Sequence, residues 1–244
     1  GVSSSFFYPQ EKKINKKNIL MIARLQLEKG VNEYLHLANK YKNHGYNFTL
    51  VGSINSSDPS RIKLSTLKSL VSDKIISYIP FTSNVLSLYD SADCFILPSY
   101  REGLSTVLVE AASRKIPIIT TSVPGCIDVI PNESFGFLCN PCDKDSLCEA
   151  FDRYIQCSNE RISTMINKTH DHAHKNFSKD TNEYSKAENE IVDVGNLSWW
   201  NLYSKRRGKM WKDARAIIND STIQRCEEEN RTFSIDAKWF GNLG

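Results

Sequence analysis

Apolar runs alternate with segments of helical periodicity from Asn18 to about Thr121. NILMIAR, at Asn18–Arg24, is a continuous apolar run typical of a strand that is buried on both faces. The next segment, Gly30–Asn43, places its apolar side chains at helical spacing. The same alternation predicts strands at Phe48–Val51, Ile75–Ile79, Cys94–Leu97 and Pro117–Thr121, and helices at Ser60–Val71, Val85–Ser91 and Ser105–Lys115. The pattern therefore predicts an α/β fold, a parallel sheet with helices on both faces.

The pattern weakens toward the end of the chain. A helical turn is predicted at Gly125–Ile130 and a short strand at Gly136–Leu138, followed by closing helices at Ser146–Gln156, Asn159–Lys175 and Thr181–Val192. After Gly195 no period is visible, and tryptophans interleave with lysines and arginines. We therefore divide the chain into a main domain, residues 1–194, and a C-terminal appendage of unknown structure, residues 195–244.

Composition excludes several classes of protein. A net charge of +3 over 244 residues is too small to argue for nucleic acid as a partner. No apolar run approaches the ~20 residues of a membrane-spanning helix. The N-terminus has no signal-peptide pattern and no initiator Met, so we expect a processed, trimmed or fragmentary chain. Several of the seven cysteines lie inside apolar segments, as reduced thiols of a cytoplasmic protein do.

Cysteines and histidines give little support for a metal site. Cys139 and Cys142 have metal-ligand spacing and Cys148 follows, but a zinc site needs a fourth ligand that the sequence does not offer. His170, His172 and His174 alternate on a predicted helix, so we expect them not to share a face. We predict that the protein holds no metal.

The predicted fold brings three loops to one edge of the sheet, the carboxyl ends of the strands, where open α/β sheets bind their ligands. They are Arg24–Gly30, Gly52-Ser53 and Ser99–Ser105. In the first loop, Arg24 and Lys29 precede a helix N-terminus, a combination that suits a diphosphate. The loop matches neither the Walker A nor the G-x-G-x-x-G pattern, which weakens ATP and NAD as ligands. An ordinary charged surface loop is the alternative.

Two acidic residues follow the fourth predicted strand in PSYREGLSTVLVEAAS. Glu102 lies on the turn and Glu110 lies on the helix, roughly 12 Å away at the rise of an α-helix. Gly103 permits close approach of a ligand to the turn. Hydroxyl-binding carboxylates beside an anion site fit a sugar nucleotide, although solvated surface acids have the same spacing. A hydrolase pair acting across one bond, with carboxyls ~5–10 Å apart, is an alternative that the Arg24–Gly30 loop argues against.

Several motifs together resemble the glycosyltransferase family 4 nucleotide-sugar domain. ARLQLEKG resembles the R-L-x-x-x-K-G loop of that family, and PSYREGLSTVLVEAAS resembles its E-x7-E segment. ADCFILPS, PIITTSVPGC and GFLCNP follow the family's order and spacing, and GVSSSFFYP resembles the segment before the domain. The resemblance covers about Gly1–Tyr184. Departures include Ser3 for a usual Asp, Asp128 for a frequent Glu and Thr82 for a frequent Gly.

The resemblance implies a fold and an activity. Family members have the GT-B fold, two Rossmann-like domains that face each other across a cleft. They transfer a sugar from a nucleotide donor with retention of configuration and without an essential metal. This chain resembles one half of that fold, the donor-binding domain. An N-terminal domain acting in trans would have to supply the acceptor site, so the activity of the isolated chain is left open.

The resemblance also assigns residues. Arg24 and Lys29 would neutralise the donor diphosphate and stabilise the leaving nucleotide, with Glu102 completing the catalytic set by binding hydroxyls of the transferred sugar. Glu110 would bind the ribose hydroxyls, and the base would lie near Ile79–Phe81. The other donor-binding positions are Gly30, Gly52, Ile79, Phe81, Gly103, Leu104 and Ser105.

Two functions follow from these patterns. The first is the donor half of a retaining glycosyltransferase that uses a nucleotide-sugar, preferably a UDP-sugar, and a glycan or lipid-linked acceptor in surface polysaccharide synthesis. The second is a non-catalytic nucleotide-sugar-binding module. We expect a cytoplasmic protein. The appendage aromatics either pack on the main domain or contact a membrane, in which case the protein lies at the inner face of the cell membrane.

Overall fold

A computed structural model of the protein describes residues 2–9, 13–54, 58–82 and 84–178. Its strands are β1 (Asn18–Ile22), β2 (Asn47–Val51), β3 (Ile76–Ile79), β4 (Cys94–Leu97), β5 (Ile118–Thr121) and β6 (Phe137–Cys139). They form one six-stranded parallel sheet in the order β3-β2-β1-β4-β5-β6. The predicted parallel sheet is confirmed, and each predicted strand of the main domain is present.

Helices cover both faces of the sheet, as the sequence predicts. They are α1 (Val31–Lys40), α2 (Leu64–Ser72), α3 (Val85–Ser91), α4 (Thr106–Ser113), α5 (Lys144–Gln156) and α6 (Asn159–Phe177). α1 packs against α5, and α4 packs against α6. β4 and β5 are buried along their whole length, whereas the edge strand β3 is only partly buried. The continuous apolar runs of the sequence are thus the strands covered on both faces.

Side-chain caps fix the starts of the last two helices. The Asp143 carboxylate accepts hydrogen bonds from the backbone N–H groups of Asp145 (3.0 Å) and Ser146 (2.9 Å). An N-cap aspartate satisfies donors that the first turn leaves open, so α5 begins at Lys144, earlier than the predicted Ser146. The Ser158 hydroxyl caps α6 in the same way at Arg161, 3.3 Å away, and this helix begins where predicted.

The predicted start of α2 at Ser60 is wrong. The Ser60 carbonyl accepts a hydrogen bond from the Leu27 N–H (2.8 Å), and the Ile62 N–H donates to the Leu25 carbonyl (3.1 Å). The loop before α2 is therefore bound to the loop after β1. Because these backbone groups are already used, the helix begins only at Leu64.

α2 and α4 end in the same type of turn, in which one residue has a left-handed conformation. Lys74 and Lys115 follow the two helices with φ of 56° and 54°. The residue after each lysine bonds back to the last turn of its helix. The Ile75 N–H donates to the Leu70 carbonyl (2.9 Å), and the Ile116 N–H donates to the Ala111 carbonyl (3.2 Å). This is the Schellman pattern with lysine at the position that glycine usually occupies. It leads the chain from each helix directly into the next strand.

The expectation that the α6 histidines do not share a face is wrong for two of them. His170 and His174 stack with ring centroids 6.4 Å apart, and both meet Phe7 edge-on. Residues four apart on a helix lie about one turn apart on the same side. His172 lies elsewhere, with Nε2 2.9 Å from the Asp128 carbonyl oxygen.

Two predictions lie outside the described residues. They are the helix at Thr181–Val192 and the division of the chain into a main domain and an appendage at 195–244. Within the described ranges, no helix combines the length and apolar character needed to cross a bilayer.

Candidate functional site

The site lies where the sheet reverses its order. β1 and β4 are neighbours through the pairs Ile19–Cys94 and Leu20–Phe95, but the strands that follow them, β2 and β5, lie on opposite sides. The connections after β1 and β4 therefore lead to opposite sides of the sheet, and a switch point of this kind forms a crevice outside the carboxyl ends of the two strands. Ligands of open α/β sheets bind at such a switch point. The Arg24–Gly30 and Ser99–Ser105 loops flank this crevice, as the sequence predicts.

A close backbone approach joins the two loops. Gly30 has φ 72°, and a Cβ on it would lie 2.0 Å from the Pro98 carbonyl oxygen. The Tyr100 N–H also donates to the Glu28 carbonyl at 2.8 Å. A side chain at position 30 would push the loops apart, so glycine there brings Lys29 and Glu102 to each other.

Lys29 and Glu102 form an ion pair. Lys29 Nζ lies 2.8 Å from Glu102 Oε1, and the two side chains are only 18% and 10% exposed. The buried Ser99 hydroxyl donates to the same oxygen at 2.7 Å. The structure thus brings together a cation and a carboxylate that the sequence assigned to one site. The negative charge of Glu102 is held by two donors before any ligand arrives.

Arg24 lies on the exposed part of the same loop, near the loop that precedes α2. The Asp58 carboxylate accepts hydrogen bonds from the Ser60 hydroxyl (2.6 Å) and N–H (2.8 Å), and from the Gln26 side-chain amide. These bonds from Ser60 and Gln26 lower the pKa of Asp58, and the nearby Arg24 charge adds to the effect. Asp58 is therefore an anion that both tethers the Arg24–Gly30 loop and faces its arginine.

Gly103 and Gly125 meet beside the Glu102 turn. Gly125 has φ 82°, and a Cβ on it would lie 1.5 Å from the Gly103 carbonyl oxygen. A Cβ on Gly103 would meet nothing within 4 Å. Gly125 is thus required by the protein's own packing, whereas Gly103 leaves open space where a ligand can approach the backbone.

Among the described residues, Glu110 shares no hydrogen-bond partner with the Lys29–Glu102 pair. Its Oε2 accepts a hydrogen bond from the Tyr89 hydroxyl at 2.8 Å. Burial raises the pKa of Glu110, and the hydrogen bond from Tyr89 opposes that shift. Burial likewise raises the pKa of Tyr89. The two acids of the E-x7-E segment thus have separate partners and do not form one acid–base couple.

The other predicted site residues line the same edge of the sheet. Gly52 follows β2, where its N–H donates to the Ile79 carbonyl (3.1 Å) and its carbonyl accepts from the Tyr78 hydroxyl (2.9 Å). Phe81 is 79% exposed just beyond β3. Leu104 is exposed, and the buried Ser105 is the N-cap residue of α4. These positions form a row along the carboxyl edge, whereas the hydrogen bonds described for the Glu102 side chain come from Lys29 and Ser99.

Sequence reasoning missed several residues that hold the site. Ser99 is the first residue of the predicted Ser99–Ser105 loop. Its position just after β4 is the signal that could have identified it. Asp58 and Tyr89 gave no local signal, because their contacts with Gln26 and Glu110 join segments far apart in sequence.

The cysteines do not assemble into a metal site in the part of the chain that is described. Cys139 and Cys148 are buried and Cys142 is exposed. Among the described residues there is no group of three or more histidine, cysteine or acidic side chains that could hold a metal ion.

A family model and curated relatives match this chain. The model for the glycosyl transferases group 1 matches residues 5–171. An N,N'-diacetylbacillosaminyl-diphospho-undecaprenol alpha-1,3-N-acetylgalactosaminyltransferase of Campylobacter jejuni is 30% identical over 184 residues, covering 70% of this chain and 47% of that protein. The capsular polysaccharide biosynthesis glycosyltransferase CapM of Staphylococcus aureus is 29% identical over 136 residues, 55% of this chain and 35% of that protein. The chain thus spans about half or less of these relatives.

Solved structures share the fold. The C-terminal domain of a group 1 glycosyl transferase, LpcC, from Francisella tularensis superposes with a TM-score of 0.64 at 20% identity, covering 73% of this chain and all of that domain. Alr3699/HepE of Anabaena, solved with UDP and glucose, superposes with a TM-score of 0.63 at 18% identity over 72% of this chain and 48% of that one. At these identities the likeness concerns the fold alone.

Proposed function

This chain belongs to the group 1 glycosyltransferases, and we propose that it is the donor-binding half of a retaining enzyme of the narrower family 4. The observation that carries the proposal is the Lys29–Glu102 pair in the crevice between β1 and β4. It joins a phosphate-binding cation to a hydroxyl-binding carboxylate at the edge where such folds hold their ligands. UDP-sugars are the favoured donors, because HepE, which has the same fold, was solved with UDP and glucose.

In the proposed complex the diphosphate lies against the Arg24–Gly30 loop. Arg24 offers a planar fork and Lys29 a compact charge. Their interactions with the diphosphate strengthen as negative charge develops on the leaving nucleotide. Interactions that strengthen in the transition state accelerate the reaction. Glu102 binds hydroxyls of the transferred sugar. The backbone at Gly103, Leu104 and Ser105 approaches the sugar and phosphates.

The nucleoside extends away from the reacting carbon. Glu110 binds the ribose hydroxyls through the oxygen that Tyr89 does not use. The base lies near Ile79–Phe81, where the exposed Phe81 ring offers an apolar face. Gly52, at the end of the neighbouring strand β2, lies between these two groups of residues along the sheet edge.

The proposed reaction replaces one anomeric bond by another. The bond between the anomeric carbon and the diphosphate oxygen breaks, and its electron pair leaves with UDP. An acceptor hydroxyl oxygen forms the new bond on the same face, and its proton passes to the departing diphosphate. Arg24 and Lys29 supply the charge stabilisation that a divalent ion would otherwise give, so we propose that no metal is essential. Full nucleotide affinity in EDTA is the corresponding expectation.

Titration calorimetry with UDP, UDP-glucose and GDP tests the donor site. We expect UDP binding by the wild-type chain, and at least a tenfold weaker binding in Lys29→Ala and Arg24→Ala, because a hydrogen bond to a charged group contributes ~1.5–3 kcal/mol. Lys42→Ala removes the same charge from an exposed position outside the site and should leave binding unchanged. A folded wild-type chain that binds none of these nucleotides would contradict the proposal.

A non-catalytic binding module is the second candidate, favoured by one observation. The chain spans 47% and 35% of the two relatives described above, and the site residues that we propose among the described ones bind only the donor. The two candidates differ in turnover. UDP release from UDP-glucose and transfer to a glycan acceptor, measured with and without a separately expressed N-terminal half, would separate them. Transfer restored by that half supports the enzyme.

The acceptor that we propose is a glycan or a lipid-linked saccharide in surface polysaccharide synthesis, at the inner face of the cell membrane. Support comes from the names of the relatives, one of which acts in capsular polysaccharide synthesis. Sedimentation with anionic liposomes, comparing the intact chain with a truncation at Gly195, tests membrane contact. Equal sedimentation of the two would argue against it.

A further inference from the structure

The Lys29–Glu102 pair has an effect on ligand choice that is separate from its role in holding a sugar. A diphosphate that reaches Lys29 meets a lysine whose charge is already balanced by a carboxylate 2.8 Å away. We infer that Glu102, held in place by Ser99, makes the site discriminate between the sugar nucleotide and the free nucleoside diphosphate. This inference rests on the proposed function, because it concerns the same donor site.

Buried hydroxyl groups fix the orientation of Glu102. Ser99 is fully buried at the end of β4, and its hydroxyl donates to Glu102 Oε1 at 2.7 Å. Its carbonyl in turn accepts a hydrogen bond from the buried Thr121 hydroxyl at 2.5 Å, at the end of β5. Two adjacent strands therefore determine where this carboxylate lies. Ser99 acts through Glu102 and is a positioning residue.

The two carboxylate oxygens of Glu102 have different surroundings. Among the described residues, the hydrogen bonds to this side chain, from Lys29 and Ser99, both end on Oε1. The Glu102 side chain is 10% exposed, so Oε2 is left to accept a hydrogen bond from a ligand. A sugar hydroxyl that donates to Oε2 can therefore bind without breaking the ion pair. The carboxylate then accepts one more hydrogen bond and keeps its contact with Lys29.

Glu102 has the opposite effect on the free nucleotide, whose binding it weakens. UDP has no hydroxyl to offer Oε2, and its terminal phosphate, with a second ionisation near pH 6, carries more negative charge than the same phosphate esterified to a sugar. That charge competes with Glu102 for Lys29 and repels the carboxylate at short range. The same residue that stabilises the bound donor thus weakens the binding of UDP, the product of transfer. Discrimination of this kind would help the spent nucleotide to leave.

Calorimetric titration of UDP and UDP-glucose into the full chain tests the inference. Because a tenfold change in affinity corresponds to ~1.4 kcal/mol, less than one charged hydrogen bond, we expect Glu102→Gln to bind UDP roughly three- to tenfold more tightly. The same variant should bind UDP-glucose roughly tenfold more weakly. Ser99→Ala should weaken UDP-glucose binding and leave UDP binding nearly unchanged, since Lys29 still holds Oε1.

Glu28→Gln is the matched control. It removes the same charge from the position next to Lys29 in the sequence, but the Glu28 side chain is 57% exposed and pairs with Arg101, at 3.6 Å. Unchanged affinities in this variant would show that contact with Lys29, not net charge, causes the effect. Thermal unfolding of each variant verifies that it is folded.

The outcomes separate the inference from the proposed function. If the folded wild-type chain binds neither ligand, both are overturned. If the wild type binds UDP but Glu102→Gln binds it equally well or more weakly, the discrimination by Glu102 is overturned and the donor site stands. Ser99→Ala with wild-type affinity for UDP-glucose would remove the positioning role of Ser99 alone.

Discussion

At the scale of single residues, the charge of Glu110 is expected to destabilise the native state and to strengthen ligand binding. Burial raises its pKa, so the native state binds this proton more tightly than the unfolded chain does. As pH rises through the interval between the unfolded and folded pKa values, the native state loses stability relative to the unfolded one. The cost of the buried charge is therefore present at neutral pH and absent in acid.

Replacement of Glu110 by Gln tests both effects. Gln removes the charge but can still accept the hydrogen bond from Tyr89. We expect the free energy of urea unfolding at pH 7 to rise by less than ~1 kcal/mol, since the carboxylate is partly exposed and solvent screens it. UDP affinity should fall roughly tenfold, because a charged acceptor is lost.

The gain in stability should vanish at about pH 4, where glutamate side chains become protonated. Glu149→Gln, an exposed position on α5, should change neither quantity. A destabilised Glu110→Gln chain at neutral pH would contradict the prediction.

Two glycines at the Glu102 turn make a second residue-scale prediction. Gly103→Ala meets no protein atom within 4 Å, so its free energy of unfolding should stay within ~0.5 kcal/mol of wild type while UDP-glucose affinity falls several-fold. Gly125→Ala places a Cβ against the Gly103 carbonyl at a left-handed φ and should cost ~1–3 kcal/mol. Urea unfolding and calorimetry measure the two effects. If Gly103→Ala binds UDP-glucose normally, the ligand does not approach this turn.

At the scale of elements, the loop before α2 acts as a support for the diphosphate loop. Asp58→Ala removes the acceptor of Gln26 and Ser60, while the backbone bonds Leu27–Ser60 and Ile62–Leu25 remain. We expect faster hydrogen exchange at the Leu27 and Ile62 amides, measured by NMR or mass spectrometry, and weaker UDP binding. Asp73→Ala, an exposed aspartate at the end of α2, is the control. Unchanged exchange would show that the backbone bonds alone hold the loop.

Element types were predictable from sequence because periodicity reports burial directly. β4 was predicted with its observed bounds, since its four apolar residues are buried on both faces. The start of α2 was not predictable, because it depends on hydrogen bonds from Leu27 and Ile62 across the β1–α1 loop. The earlier start of α5 had a local cause, the Asp143 cap, which the sequence contained but the periodicity did not reveal.

For the site, the location could be predicted from the sequence, but the contacts between its residues could not. Arg24, Lys29 and Glu102 lie on loops whose place follows from strand order, so their common edge followed from the sequence. The contact between Lys29 and Glu102 requires Gly30 to meet Pro98, a fact of packing that residue spacing does not contain. The positions of Ser99 and Tyr89 depend on tertiary contacts in the same way.

At the scale of the whole molecule, the first 194 residues are predicted to be sufficient for nucleotide binding. The described core closes on itself, because α6 packs on α4 and the Val2 N–H donates to the Phe177 carbonyl at 2.9 Å. A chain truncated after Val194 should therefore unfold cooperatively and bind UDP as tightly as the intact chain. Urea unfolding and calorimetry compare the two. Loss of UDP binding in a folded truncation would show that residues 195–244 belong to the site.

The order of the strands also has a consequence for synthesis on the ribosome. Of the six strands described, β1 is made first, yet it lies inside the sheet, and one of its edges pairs with β4, where Ile19 meets Cys94 about 75 residues later. At ~5–20 residues per second, that edge stays unpaired for roughly 4–15 s after β1 is made. An apolar strand with an open edge is a template for aggregation. Nascent chains that stop before Leu97 are therefore the species most in need of a chaperone.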